Sequence, residues 1–248
     1  MTSVDDELFV FLGRDKNQVA VYSINDYTLL RLLNLPGYKN DYKNDLTSCV
    51  RYKRLYASDC NNRCIHRYEL ATSATRKWSV PGEPCGLSVT CSCNLLVTCQ
   101  SPNKLVELSV DSGRCVREIA LQSDIARPWH GVHLTTGQYV VCHGLGHTLH
   151  RVCIVNDDGT VTRSYGGQRG YDVGQLDDPC YLAVDEDSQF IFVADCDNNR
   201  VVMLSPTLEF VRYISEGLSE PQRLYLHHAT RRLYVSQLGG DVAVIQLM

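Results

Sequence analysis

Five of the eight histidines, His130, His133, His143, His147 and His150, crowd into one stretch of the chain. The run His143-x-x-x-His147-x-x-His150 could hold zinc if a carboxylate or water completed the set. Gly144 and Gly146 lie inside it, and a glycine-rich loop fixes no ligand geometry, so a solvated loop or a partner contact is the simpler expectation. Asp195-x-Asp197-x-Asn199 has the opening spacing of a calcium loop. Arg200 and Pro206 stand where such a loop needs Gly and Glu, which argues against calcium. Asp195…Asn199-Arg200 and Asp59…Asn62-Arg63 instead suit tight turns, where Asp and Asn accept backbone N–H bonds and Arg pairs with a carboxylate. The paired acids Asp177-Asp178 and Asp185-Glu186-Asp187 fall in turns too. No Gly-x-Ser-x-Gly elbow, phosphate loop, dinucleotide fingerprint or His-Glu-x-x-His occurs. The expectation is a protein that is not an enzyme, with no catalytic residue, no metal and no cofactor.

These residues are carried by a repeating frame. Short apolar cores recur at Leu8-Phe9-Val10, Leu55-Tyr56-Ala57, Leu95-Leu96-Val97, Tyr139-Val140-Val141, Ile191-Phe192-Val193 and Leu233-Tyr234-Val235, spaced by 47, 40, 44, 52 and 42 positions. That is the period of a four-stranded propeller blade. The fifth unit is clearest: Pro179 to Asp185, Phe190 to Ala194, Arg200 to Leu204 and Glu209 to Ile214 are four short apolar runs separated by polar turns. The third unit repeats it from Pro84 and the fourth opens at Pro128. The frame predicts an all-β, six-bladed propeller of four-stranded antiparallel blades occupying residues 1–248 as a single domain. The first unit shows no opening strand before Leu8 and the sixth, from Pro221, shows only three, so both end blades are expected to be incomplete and the chain to belong to a longer protein.

With 248 residues, 44% hydrophobic and 21% charged, the composition excludes disorder, collagen and coiled coil. No apolar run is long enough to span a bilayer, and the acidic start is unlike a signal peptide, so no membrane contact is expected. Of the twelve cysteines, Cys60 with Cys196, Cys85 with Cys180, and Cys64 with Cys153 are expected at equivalent places in different blades, too far apart to pair. Small buried free thiols in a reducing, cytoplasmic setting follow.

Gly166-Gly167-Gln168-Arg169-Gly170, Gly174-Gln175-Leu176-Asp177-Asp178-Pro179, Leu182-Ala183-Val184-Asp185 and Val193-Ala194-Asp195 with Asn199-Arg200-Val201-Val202 resemble an NHL repeat. Tyr56-Ala57-Ser58-Asp59-Cys60-Asn61-Asn62-Arg63 is a weaker copy, and the other units share only the apolar skeleton. The place of Asp195 is taken elsewhere by Leu12, Asp59, Cys99, His143 and Gln237. The resemblance implies an NHL-type propeller with first strands lining a channel, of the kind found at the C-terminus of tripartite-motif ubiquitin ligases. It further implies recognition of RNA or protein on the broad face; one secreted branch of the family is a zinc-dependent lyase.

Recognition residues should come from blade-to-blade connections and the channel mouth. Tyr38-Lys39-Asn40-Asp41-Tyr42-Lys43-Asn44 interleaves aromatics with lysine, as where bases stack and cations hold phosphates. Arg127-Pro128-Trp129-His130 places a Trp beside Arg and His, and Gln168-Arg169-Gly170-Tyr171 is a glycine-flanked projection. Gly86, His130, Tyr181 and Arg223, each two residues after an opening Pro, should ring the channel mouth. The candidate contact residues are Tyr38, Tyr42, Arg127, Trp129, His130, Arg169, Tyr171 and Arg223. Charge divides unevenly, with a net of −9 over residues 170–220 and +5 over residues 49–78. The function expected is binding of a protein partner, such as a ligase substrate. Single-stranded RNA on the same face is the alternative, a zinc-dependent lyase the second, and no small-molecule substrate is expected.

Overall fold

The computed structural model describes residues 1–12, 17–38, 41, 43–144 and 146–247. Six antiparallel sheets follow one another along the chain. Blade one is β1 (Thr2–Val4), β2 (Glu7–Phe11), β3 (Gln18–Ser23) and β4 (Leu29–Asn34). Blade two is β5 (Leu46–Cys49), β6 (Arg54–Asp59), β7 (Cys64–Glu69) and β8 (Thr75–Ser79), and blade three is β9 (Pro84–Val89), β10 (Asn94–Gln100), β11 (Asn103–Ser109) and β12 (Cys115–Ala120). Blade four holds β13 (Pro128–His133), β14 (Tyr139–His143), β15 (Leu149–Val155) and β16 (Val161–Gln168). Blade five holds β17 (Pro179–Val184), β18 (Ile191–Asp195), β19 (Arg200–Leu204) and β20 (Phe210–Glu216), and blade six β21 (Pro221–His227), β22 (Arg232–Gln237) and β23 (Val242–Gln246). The arrangement is a six-bladed β-propeller.

The six apolar cores are the second strands. Each is covered on both faces by the neighbouring blades, which is why it reads as an unbroken apolar run; Leu95, Leu96 and Val97 of β10 are wholly buried. Outer strands such as β20 meet solvent on one face and carry alternating or polar sequence. Blades pack face to face through separate apolar layers. Leu35, Leu46 and Leu55 lie in the layer between blades one and two, and Leu87, Val97 and Val106 in the layer between two and three.

Two expectations about the frame are corrected. Blade one is complete: Thr2–Val4 pairs with Glu7–Phe9 through a tight turn in which Asp5 takes a positive φ of 51°. Three residues in an acidic segment without a leading Pro give too little pattern to read as a strand. Cys64 and Cys153 are not equivalent, because Cys64 faces Asp59 across the β6–β7 hairpin whereas the residue facing His143 across β14–β15 is Arg151. All twelve cysteines are free thiols. Blade six has three strands among the described residues.

The ring closes where blade six meets blade one. Among the described residues, Met1, Leu8, Ile24 and Tyr234 make up the buried cluster of this seam, smaller than those of the other seams. Aromatic contacts reinforce it: Tyr27 meets Tyr234 edge-on at 6.2 Å, Tyr225 lies 6.1 Å from Tyr234, and the Tyr225 hydroxyl hydrogen-bonds with that of Ser3. Beside the seam runs a cavity of about 530 Å3 lined by Tyr22, Tyr27, Tyr234 and Val244. Tyr234→Ala should therefore lower stability by about 3–5 kcal/mol, the range for truncating a large buried ring. Urea unfolding followed by tyrosine and tryptophan fluorescence checks this; a loss below about 1 kcal/mol would show that the seam does not hold the ring.

Candidate functional site

The register aligns the six blades residue by residue. Cys99, His143, Asp195 and Gln237 each stand opposite the opening Pro of their blade, at the end of a second strand or one residue before it. Hairpins joining second and third strands therefore share one face with the connections that enter first strands, and this is the loop face.

In blade five the turn residues form a structural clasp. Asp195 Oδ2 accepts Arg200 Nε at 2.7 Å and Asn198 Nδ2 at 2.8 Å, while Oδ1 accepts the Asp177 N–H at 2.6 Å. Arg200 donates onward to the carbonyls of Tyr171 and Gln175, and its guanidinium lies between the rings of Tyr171 and Tyr213 at 4.4 and 4.5 Å. The ion pair is fully buried and each charge has several partners, the condition under which a buried pair is tolerated. Blade two makes a smaller version, in which Asp59 accepts from the Asn62 N–H, the Asn62 amide and His66 Nε2.

At the axis, first strands converge on a polar belt. Asp45, one per cent exposed, accepts the Leu87 N–H at 2.8 Å and the Tyr181 hydroxyl at 2.8 Å, and faces Arg223 Nε at 3.5 Å. Arg223 also donates to the Asn44 and Gln222 carbonyls and lies 5.3 Å over the Tyr181 ring. His130 stacks on Tyr181 with centroids 3.8 Å apart and donates from Nε2 to the Leu87 carbonyl. Gly86 completes this arc, since a Cβ there would stand 2.4 Å from the Trp129 carbonyl oxygen. The belt separates a cavity of about 320 Å3 on the loop face, lined by Asn44, Asp45, Arg223 and Leu238, from one of about 270 Å3 on the opposite side, lined by Ser3, Thr47, Ser88 and Tyr225.

Gly86, His130, Tyr181 and Arg223 are thus brought together at the axis. Asp45, which accepts from Tyr181 and faces Arg223, was missed because its blade has no opening Pro. Counting back from the apolar cores finds it, since all five residues stand nine or ten positions before one. Burial has pushed the His130 imidazole down to about 4 despite the nearby Asp45 carboxylate. Burial also raises the Tyr181 phenol well above its usual range.

The other contact candidates divide sharply. Tyr38 is buried, stacked on Phe11 at 5.3 Å and edge-on to His66 at 5.1 Å, so it serves the seam between blades one and two and offers no base-stacking surface. Trp129 and His130 are buried in β13, not at a loop edge, because the strand begins at Pro128. Tyr42, with Lys39 and Asn40, lies outside the described residues. Arg127 is exposed ahead of β13, and Arg223 is turned into the belt. Arg169 and Tyr171 stand on the loop face; Arg169 is held by Asp177 at 2.8 Å and Asp197 at 3.4 Å. The histidine run does not converge on one point. His143 is buried beside Arg151, and His150 Nδ1 accepts the Asp178 N–H at 2.8 Å.

No protein-family model and no curated protein sequence matches this chain. Solved structures do. Hydrazine synthase of Kuenenia stuttgartiensis aligns with a TM-score of 0.70 at 13% identity, covering 99% of this chain and 94% of that one. Virginiamycin B lyase from Staphylococcus aureus aligns at 0.67 and 11%, covering 99% and 83%. The β-propeller domain of Cps50 (Swd1) from Myceliophteria thermophila aligns at 0.67 and 11%, covering 98% and 94%. At such identities the likeness establishes the propeller fold alone.

The belt imposes a pH dependence. An imidazole near 4 in the folded chain and near 6.5 when unfolded makes the unfolded state bind the extra proton between those values. Stability conferred by the neutral ring is therefore complete above pH 6.5 and is lost as pH falls toward 4, by about 3 kcal/mol in all. Urea midpoints of the wild type and His130→Gln measured across this range should converge toward pH 4. Parallel curves would mean that His130 is protonated within the fold.

Proposed function

We infer that this propeller is of the NHL type and is the recognition module of a larger cytoplasmic protein, one that binds a protein partner through its loop face without catalysing a reaction. The observation that carries this reading is the make-up of that face. Tyr171 is 57% exposed, Val173 62% and Leu238 45%, and Leu238 borders the 320 Å3 cavity at the channel mouth. Apolar side chains held out by a rigid scaffold beside a concave mouth suit an inserted loop or peptide.

Charge supports protein over nucleic acid. The described connections of the loop face carry more carboxylates, among them Asp41, Glu83, Asp124, Asp172, Asp197 and Asp241, than cations, chiefly Lys43, Arg63, Arg127 and Arg169. An RNA platform needs an excess of cations and exposed rings, and Tyr38 and Trp129 are buried. A basic or mixed-charge segment with an apolar anchor is the complementary partner. The NHL-type assignment rests on the fifth blade, whose motif residues Asp195 and Arg200 form the clasp that presents Tyr171, while Asn199 accepts the Glu220 N–H.

Selection of a random peptide library on the intact propeller, alongside a randomised single-stranded RNA pool at two salt concentrations, tests this. Peptides with an apolar anchor should be enriched, and Val173→Ser with Leu238→Ser should weaken their binding about tenfold or more while leaving the thermal midpoint within a degree or two. Salt-sensitive enrichment of an RNA motif without peptide enrichment would reverse the assignment.

A further inference from the structure

Blade six carries its third strand, β23, as an open edge among the described residues, and the other five blades show what covers that place: a fourth strand, antiparallel to the third. The run Val242-Ala243-Val244 in β23 repeats Val19-Ala20-Val21 of β3, which is wholly buried with β4 beside it. In β23 the same run is partly open, and Val244 is exposed. Charge sets β23 apart as well. The outermost strands of the other blades carry Arg31, Arg76, Arg117, Arg163 and Arg212, the kind of residue that keeps a sheet edge from pairing with another chain. Val242–Gln246 carries no charge, so β23 has the composition of a covered strand.

Blade one supplies a second observation. Val19 and Val21 face blade two, so Ala20 and Tyr22 face blade six, and Leu32 and Leu29 stand opposite them on the same face of the sheet. Leu29, Leu30 and Leu32 are all exposed. The residue equivalent to Leu32 is Lys77, Glu118 and Ser164 in blades two, three and four; in blade five it is Tyr213, which Arg200 covers at 4.5 Å. A position that is polar or covered elsewhere is thus a bare leucine on the face that looks toward the open edge. Between the two surfaces lies the 530 Å3 cavity, with the exposed Tyr27 and Val244 on its walls.

We propose that an extended segment of a partner polypeptide docks in this groove as the fourth strand of blade six, pairing its backbone with β23 and setting alternate apolar side chains against Val244, Leu29 and Leu32. Backbone pairing gives such a segment affinity, and its alternate side chains give selectivity. The occupant comes from outside residues 1–248, because no stretch beyond the described residues is longer than four, whereas the outermost strands of the other blades span five to eight. A second copy of the chain fits poorly. β4 and β20 extend their blades one strand, about 4.8 Å, beyond β23 on either side, so the recess admits a lone strand and excludes a sheet edge flanked by its own projecting blades. The inference stands apart from the loop-face reading, since this groove lies on the rim.

The test uses the whole chain and a displayed library of octapeptides with Val, Ile, Leu or Tyr at alternate positions and Thr, Ser, Lys or Arg between them. Peptides should be enriched on the wild type, and Val244→Lys and Leu32→Lys, both changes at exposed positions, should each weaken them about tenfold or more. Val116→Lys, at an exposed position of β12 in blade three, should leave binding unchanged. With an enriched peptide bound, amide hydrogen exchange should slow at Val242–Gln246. Methylating alternate peptide nitrogens should abolish binding in one register and spare it in the other, because only every second N–H of a strand points to a given neighbour. No enrichment, unchanged binding in Val244→Lys or Leu32→Lys, protection confined to the loop face, tolerance of methylation in both registers, or dimerisation of the free chain that Val244→Lys abolishes would each overturn the proposal.

Discussion

Six sheets arranged around an axis must fill the space where their first strands meet, and here a single carboxylate organises the filling. Asp45 reaches from blade two to a backbone N–H of blade three, a hydroxyl of blade five and a guanidinium of blade six. His130 of blade four joins by stacking on the same Tyr181 ring and donating to the Leu87 carbonyl. A charge this deeply buried is tolerated because Arg223 and two donors surround it, and that requirement fixes how the blades turn toward one another. Apolar side chains would fill the same hole but would not set the rotation of each blade.

The belt also decides what the molecule offers to its surroundings. The belt has a cavity on either side of it, and the one on the loop face is bordered by connections that carry exposed side chains such as Leu238. Those connections are held by turn chemistry at the far end of each second strand. Blade five uses the Asp195–Arg200 clasp, blade two an Asp59–His66 pair, and blade four His143 beside Arg151. One backbone position thus supports a different chemistry in each blade. The fifth also reaches into the connection that enters its own first strand, through the Tyr171 and Gln175 carbonyls.

The seam between blades six and one is built differently. Blade six has three strands among the described residues, so its outer strand β23 is paired only to β22, and closure depends on tyrosine contacts and a small apolar cluster. Every other interface buries aliphatic side chains from complete second strands on both sides. The exposed Tyr171 and Val173 are mounted away from this seam, on the connection between blades four and five.

Much of this was legible in the chain. The spacing of six apolar cores identified the second strands, because strands buried on both faces must be apolar throughout, and the opening prolines located four of the five axial residues. The three-residue β1 was not legible, since so short a strand has no period. Exposure was not legible either. Tyr38 and Trp129 have the composition of a nucleic-acid surface, yet packing between blades buries both, whereas Tyr171 is held out by contacts with Arg200 from the next blade. The sequence by itself determined the fold, the blade count and the turn chemistry, all of which follow from periods and local hydrogen bonding. Only the tertiary structure decided that Asp45 is the centre of the belt and that Leu29, Leu32 and Val244 face one groove, because both depend on the angle at which separate blades meet.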